Sequence, residues 1–292
     1  MHSKVPLKKA LAIIFGSTIL ISGSCALFVA YFKYIHWQLA ENPKYEILAI
    51  VQETSAKEPL KTVYLAELLK LSLDKRTNIY RFSTHLAKKR LVSSPLIKKA
   101  EVKKIYPGTV HVHYTTRVPV AFLTDFENMA IDKEGFLFPF KPFFTPKNLP
   151  EIYLGLEEDE EKEVAFGNRL ENKKAALALQ LLETFSEKLL AKTSIKRIDV
   201  KGAFAKSVGQ KQIVLILEDK IEKIRNGFPV FSRYLRILRL SSDDYLEGLS
   251  SFLVLQKHLQ SQENAETFTQ DYLKIIDLRI PELGFIKKEM IK

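Results

Sequence analysis

One cysteine, one tryptophan and three methionines occur in the 292 residues of this chain. With Cys25 alone, an intramolecular disulfide and a multi-cysteine metal site are both excluded. Also missing are a glycine-rich phosphate loop, a serine-nucleophile elbow, an HExxH pair and a plausible Cys-His pair, so no familiar catalytic motif stands out. The sequence has neither an internal repeat nor a long low-complexity tract, which argues against a solenoid. Acidic residues are the scarcer charge, 34 against 45 Lys and Arg, for a net charge of +11. That excess suits an acidic partner, a membrane surface or nucleic acid, without choosing among them. Apolar content of 46% and charged content of 27% are those of a folded protein. The length suits one or two domains with real cores.

Charge is missing altogether from Ala10 to Phe32, a run of 23 residues. As a helix rising about 1.5 Å per residue, this run covers about 34 Å, enough for a hydrocarbon core of about 30 Å. It has no strong polar stripe, as a soluble core helix would have. Lys4, Lys8 and Lys9 precede it, so residues 1–9 are expected in the cytoplasm by the positive-inside rule, with Lys33 a weak counterweight. Tyr31, Tyr34 and Trp37 stand where an interfacial aromatic belt belongs. A cleaved signal peptide would have a shorter apolar region, whereas here Ala26 to Phe32 continue apolar beyond the small residues at 22–26. Residues 10–32 are therefore read as an uncleaved membrane anchor and 33–44 as a juxtamembrane linker. On this topology everything beyond about residue 38 lies outside the cytoplasm, and nucleic acid drops out as a partner.

Beyond the anchor, residues 45–51 read as a strand and 62–71 as a short amphipathic helix with Tyr64, Leu65, Leu68, Leu69 and Leu71 at helical spacing. A second helix starts at Ser83 or Thr84 and ends at Pro95, with Leu86, Leu91 and Val92 expected inward. Residues 98–105 and 109–116 form an antiparallel pair around the turn Tyr106-Pro107-Gly108. The order strand-helix-helix-strand-strand defines a small α/β domain over 45–118. Strands and hairpins follow at 119–125, 128–140 and 149–155, with a clear turn at Asp132–Gly135. Residues 169–192 read as a helix, with Leu177, Leu181, Leu182, Phe185 and Leu189 on one face. Strands are expected at 194–202 and 211–219, helices at 231–240 and 247–261, and a final strand at 271–280. The fold class is α+β, the second domain being mainly β over 119–288 with a partly helical stretch at 220–270 and a tail at 289–292.

Candidate chemistry is thin. His111 and His113 lie two apart on a predicted strand and so share a face, but no third ligand stands at recognisable spacing. Val110, Val112 and Tyr114 then face the core and the histidines face solvent. From Leu60 to Arg117 there are 13 Lys and Arg against the three acids Glu67, Asp74 and Glu101, nearly the whole net charge. This basic patch is either a solvated face or an attractor for anionic lipid headgroups or an acidic segment. The acidic run 157–163 reads as a solvated loop. No catalytic residue, metal ligand, cofactor site or small-molecule site is assigned.

Four short stretches together resemble one family. Pro95-Leu96-Ile97 leads into Lys99-Ala100-Glu101-Val102-Lys103-Lys104, then Tyr106-Pro107-Gly108-Thr109-Val110, then Arg117-Val118-Pro119-Val120-Ala121. This succession resembles the junction between the POTRA domain and the β-domain of FtsQ/DivIB proteins. Residues 130–140, with Asp132 and Gly135, and 149–155 are similar to the hairpin and strand that follow in that family. Residues 195–202 and 274–288 sit where its later strands belong, with Ile280 in place of the family's closing tyrosine. The resemblance implies a bitopic inner-membrane division protein without catalytic activity or cofactor, its N-terminus cytoplasmic and its two domains extracytoplasmic at the septum. It also implies partners of the FtsB and FtsL type, bound near the C-terminus of the β-domain. An open strand edge formed by Ile276, Asp277, Leu278, Arg279, Ile280, Gly284, Phe285, Ile286, Lys287 and Lys288 is the expected partner-binding element. A membrane-anchored POTRA module of a secretion or outer-membrane assembly system is the alternative, since fold does not fix function.

Overall fold

The computed structural model describes residues 6–157, 160, 164–188, 193–225, 228–265 and 272–290. They fall into two compact units, residues 1–116 and 117–292.

The first unit begins with α1, Leu7–Glu41, a single helix of 35 residues. It is long and apolar enough to cross a membrane, and the 18-residue window that qualifies it is unburied. The helix runs nine residues beyond Phe32, so most of the expected linker is helical. Nothing in residues 33–41 breaks a helix, and the chain turns only at Asn42-Pro43. There the Asn42 side chain accepts a hydrogen bond from the Lys44 amide at 2.9 Å.

The expected α/β domain follows as β1 (Ala49–Thr54), α2 (Thr62–Leu69), α3 (Thr84–Val92), β2 (Ile97–Ile105) and β3 (Thr109–Thr116). The sheet order is β1-β3-β2, with β1 parallel and β2 antiparallel to β3. Ser83 caps α3 by accepting from the Leu86 amide at 3.4 Å, satisfying one of its orphan donors. Ala87 and Leu91 face the core, whereas Leu86 and Val92, expected inward, are exposed. The buried stripe of so short a helix is narrow and falls on positions 87 and 91, four apart.

Val110, Val112 and Tyr114 are fully buried, as the alternation requires. Ile97 and Ala100 are both buried although three apart, because a register shift between Ile97 and Lys99 resets the pleat. Val102 is only half-buried. The Tyr114 hydroxyl accepts from the Leu60 amide and donates to Gln52 Oε1, both at 2.9 Å, tying three segments together. In the turn, a Cβ on Gly108 would lie 2.2 Å from the Glu46 carbonyl oxygen, so only glycine permits this approach.

The second unit is built on one nine-stranded sheet ordered β12-β11-β10-β9-β8-β7-β4-β5-β6. Its strands are β4 (Ala121–Leu123), β5 (Met129–Ile131), β6 (Leu137–Pro139), β7 (Glu151–Tyr153), β8 (Thr193–Asp199), β9 (Ile213–Arg225), β10 (Phe228–Leu240), β11 (Tyr272–Leu278) and β12 (Phe285–Met290). Helices α4 (Lys173–Lys188) and α5 (Tyr245–Ala265) lie between strands of this sheet in the chain. Ala178, Leu181 and Phe185 of α4 and Leu249 and Phe252 of α5 share one apolar core with Ile198, Leu215, Leu217, Leu238 and Ile276. Leu177 and Leu182 pack at its margin. Leu189, the last of the expected face, lies outside the described residues, as does most of the acidic run 157–163.

The expected helix at 231–240 is instead strand. It forms most of β10, paired antiparallel with β9 from Leu240↔Ile213 to Phe228↔Arg225. Apolar residues at 231, 234, 235, 237, 238 and 240 fit a helical face, but Arg236, Leu238 and Leu240 are the buried set and they alternate. Arg236 is buried because its guanidinium pairs with Asp219 of β9, itself fully buried. Asp219 Oδ1 also accepts from the Thr193 hydroxyl at 2.5 Å, and Gln256 Nε2 of α5 donates to that hydroxyl oxygen at 2.6 Å. A polar knot therefore sits inside an apolar core, and that knot decides which face of β10 points inward.

Candidate partner-binding edge

The two ends of the nine-stranded sheet differ. At the β6 end, the Leu137 amide donates to the Asn168 carbonyl at 3.0 Å and Gly167 donates back to Leu137 at 2.7 Å. The Leu170 amide adds a bond to the Gly135 carbonyl at 2.9 Å, so the segment 167–170 occupies this edge. At the other end lies β12, paired on one side with β11 and, among the described residues, with no strand on the other. Such an edge presents alternate backbone donors and acceptors along its length.

The ten residues expected at the edge divide between two strands and a turn. Ile276, Asp277 and Leu278 belong to β11, which is flanked by both β10 and β12 and is not an edge. Ile276 is fully buried, in register with Leu238 and Ile286. The sequence reading expects one final strand at 271–280, and the physical reason for the correction is a second strand after it: β11 returns parallel to β10 behind α5, and β12 folds back outside it. The edge proper is Phe285, Ile286, Lys287 and Lys288, with Phe285 59% and Ile286 44% exposed.

Arg279, Ile280 and Gly284 shape the turn between them. Arg279 donates from Nε to Asp277 Oδ1 at 2.9 Å and from Nη2 to Oδ2 at 2.8 Å, a two-pronged clasp. Burial works to raise the Asp277 carboxyl, but hydrogen bonds from Arg279 and the charges of Arg279 and Arg239 outweigh it and hold the group below its ordinary range. That hydrogen-bonded carboxylate raises Arg279 in turn, against the opposing effect of burial. The Leu283 amide donates to the Ile280 carbonyl at 3.2 Å, and Glu282 takes a left-handed φ of 61°. Leu278, Ile280, Leu283, Gly248 and Glu247 line a recess of about 120 Å³ beside the start of β12. The edge thus has no further strand beside it among the described residues, and it offers two exposed apolar side chains and an adjoining recess.

The remaining motif residues are structural. Ala100, Val102, Tyr106, Pro107 and Gly108 hold the β2–β3 hairpin. Arg117, first residue of the second unit, donates from Nη1 to Asp132 Oδ2 at 2.8 Å and lays its guanidinium 3.7 Å from the centre of the Phe136 ring. Asp132 Oδ1 accepts from the Glu134 and Phe136 amides, both at 2.9 Å, and Gly135 supplies the φ of +87° that the turn needs. Pro119 and Ala121 are buried beside this turn, and the intervening Val120 amide donates to the Ile131 carbonyl. The Arg117–Asp132 pairing was not foreseen, although both residues stand in the motifs that carried the resemblance. Asp125 was missed altogether: its carboxylate accepts from the amides of Leu154, Gly155 and Leu156 at 2.8, 2.7 and 3.3 Å, pinning the chain after β7.

His111 and His113 face away from the core, with Nε2 and Nδ1 respectively 3.3 and 3.5 Å from Glu53 Oε2. Among the described residues no group of three or more His, Cys, Asp or Glu side chains is arranged to hold a metal ion.

Residues 61–115 match the family model described as POTRA domain, FtsQ-type. The chain carries an FtsQ-type POTRA domain. The matched span takes in α2, α3, β2 and nearly all of β3, the elements that carry the hairpin and its Tyr106-Pro107-Gly108 turn. An apolar N-terminal helix, this POTRA domain and a large sheet domain succeed one another, an arrangement consistent with the FtsQ/DivIB family. The domain type points to a cell division protein. No curated protein sequence matches the chain.

Proposed function

We propose that the chain is a non-enzymatic, bitopic divisome protein that links other division proteins at the septum of the bacterial inner membrane. On this reading α1 is the anchor, residues 1–9 are cytoplasmic, and the POTRA and sheet units lie on the extracytoplasmic side. The POTRA domain serves recruitment. The β12 edge captures an extended segment of a small bitopic partner of the FtsB or FtsL type.

The observation that supports this best is the asymmetry of the sheet: one end is occupied by 167–170, while β12 is the outermost strand at the other end among the described residues. An edge of this kind binds an incoming strand through main-chain hydrogen bonds, and Phe285, Ile286 and the neighbouring recess give the contact side-chain specificity. Lys287 and Lys288 favour an acidic segment, chiefly by speeding encounter.

A fluorescent fusion of the full chain, followed through division with co-purification of membrane partners, tests the reading. Septal accumulation and partner recovery that is lost in Ile286→Pro or Phe285→Glu, with helix content and thermal melting retained, is the expected result. Uniform envelope distribution, or partner recovery unchanged in well-folded variants, would sink it.

A further inference from the structure

The end of the membrane helix is built into the POTRA domain rather than tethered to it. Asn78 Nδ2 donates to the carbonyls of Leu39 and Asn42, both at 3.0 Å, satisfying acceptors that a helix C-terminus leaves open. Arg81 Nη2 meets Glu41 Oε1 at 3.3 Å. The Tyr80 ring stands edge-on to His36 of α1, centroids 5.6 Å apart, and packs on Tyr45 at 5.1 Å and Tyr106 at 5.3 Å. Backbone bonds from Ile47 to Thr77 and from Ile79 to Tyr45 close the joint. Three segments, 43–47, 77–81 and the turn at 106–108, thereby converge on the last turns of α1.

This joint fixes a depth. His36 lies four residues beyond Phe32, so about 6 Å past the end of the uncharged run along the helix axis. The headgroup zone on each side of a bilayer is about 5–7 Å thick. If the run 10–32 fills the hydrocarbon, Tyr80 and the tyrosines packed on it stand at headgroup level. Lys44, Lys75, Arg76 and Arg81 are all exposed and lie within these segments or immediately beside them. Tyrosines and basic side chains together are the composition of a protein surface at the membrane interface.

We propose that the POTRA face formed around Tyr45, Tyr80 and Tyr106 rests on the membrane that α1 crosses, with Lys44, Lys75 and Arg76 binding the phosphates of anionic lipid headgroups. The domain is held at the bilayer surface in one orientation. The inference rests on α1 spanning the membrane.

The test uses the full chain in nanodiscs of phosphatidylcholine, with or without phosphatidylglycerol. Three fluorophore positions are compared: native Cys25, and Thr77→Cys or Ser93→Cys in a Cys25→Ser background. Ser93 lies at the far end of α3 from the joint and serves as the reference. Acyl-chain nitroxide lipid should quench the Cys25 label, reporting that α1 spans. Headgroup nitroxide lipid should quench the Thr77 label at least about threefold more than the Ser93 label when phosphatidylglycerol is present. Lys75→Glu with Arg76→Glu should abolish that excess, as should omitting the anionic lipid. A quenched Cys25 label with equal quenching at 77 and 93 overturns the docking while leaving the anchor intact. An unquenched Cys25 label overturns both. An excess at 77 that ignores lipid charge and the Lys75 and Arg76 reversals overturns the anionic-headgroup assignment.

Discussion

Replacing Asp219 with leucine should loosen the centre of the sheet domain far more than replacing Asp219 and Arg236 together. Both side chains are almost wholly buried and pair across β9 and β10. Removing one partner leaves a charge in the core without its counter-ion, which costs about 3–5 kcal/mol. Removing both replaces an ion pair by apolar side chains of similar bulk, which is near neutral or stabilising. Asp219→Leu does more harm still, because the Thr193 hydroxyl loses its acceptor, a further loss of about 1 kcal/mol. Hydrogen exchange of the β9 and β10 amides, measured on the full chain in detergent, reads this directly. Arg236→Met should speed exchange by about two to three and a half decades and Asp219→Leu by about three to four, since about 1.4 kcal/mol is tenfold. The double variant should return to within about tenfold of the parent protein. Single variants that exchange within about tenfold of the parent, or a double variant equal to the sum of the singles, would refute the claim that this pair acts as a unit.

Three further outcomes follow from particular contacts. Gly108→Ala should destabilise the POTRA domain by about 2 kcal/mol or more, read as a lower urea midpoint, because the added methyl meets the Glu46 carbonyl rather than a yielding side chain. The Asp277 carboxyl is held below its ordinary value of 3.8, so its contribution to stability is complete above that pH and disappears as pH falls through the lower folded-state value. Asp277→Asn should flatten that acid limb of the stability profile, and an unchanged limb would contradict the clasp. Asp125→Ala should free three amides at 154–156 and raise their exchange selectively, whereas uniform protection would show that other groups hold that segment.

The POTRA elements were legible because each is short and marked by its own chemistry. Ser83 caps α3, Tyr106-Pro107-Gly108 turns β2 into β3, and Val110, Val112 and Tyr114 alternate cleanly. β10 was not legible, because Tyr234, Leu235, Ile237 and Leu238 satisfy a helical period as well as a strand's, and Arg236 reads as a solvent residue. Only its partner Asp219, seventeen positions earlier, makes it an interior one. The candidate site was legible in part. One closing strand, at 271–280, could be placed in sequence, but that Phe285–Met290 forms a second strand outside it depends on the turn at 279–284 and on the path of the chain through α5. The closed β6 end was invisible for the same reason, since residues 167–170 reach it from about thirty positions downstream of the strand. Charge was the most misleading signal: the lysines near residue 100 are conspicuous, yet the hairpin depends on Ala100 and Gly108.

Capture of a partner strand at β12 is read out by a photo-crosslinking residue at Phe285 in dividing cells. The expected result is an adduct with a small bitopic division protein of the FtsB or FtsL type, and its disappearance in Ile286→Pro. Absence of any adduct at 285, or an adduct that persists when β12 carries the proline, would contradict it.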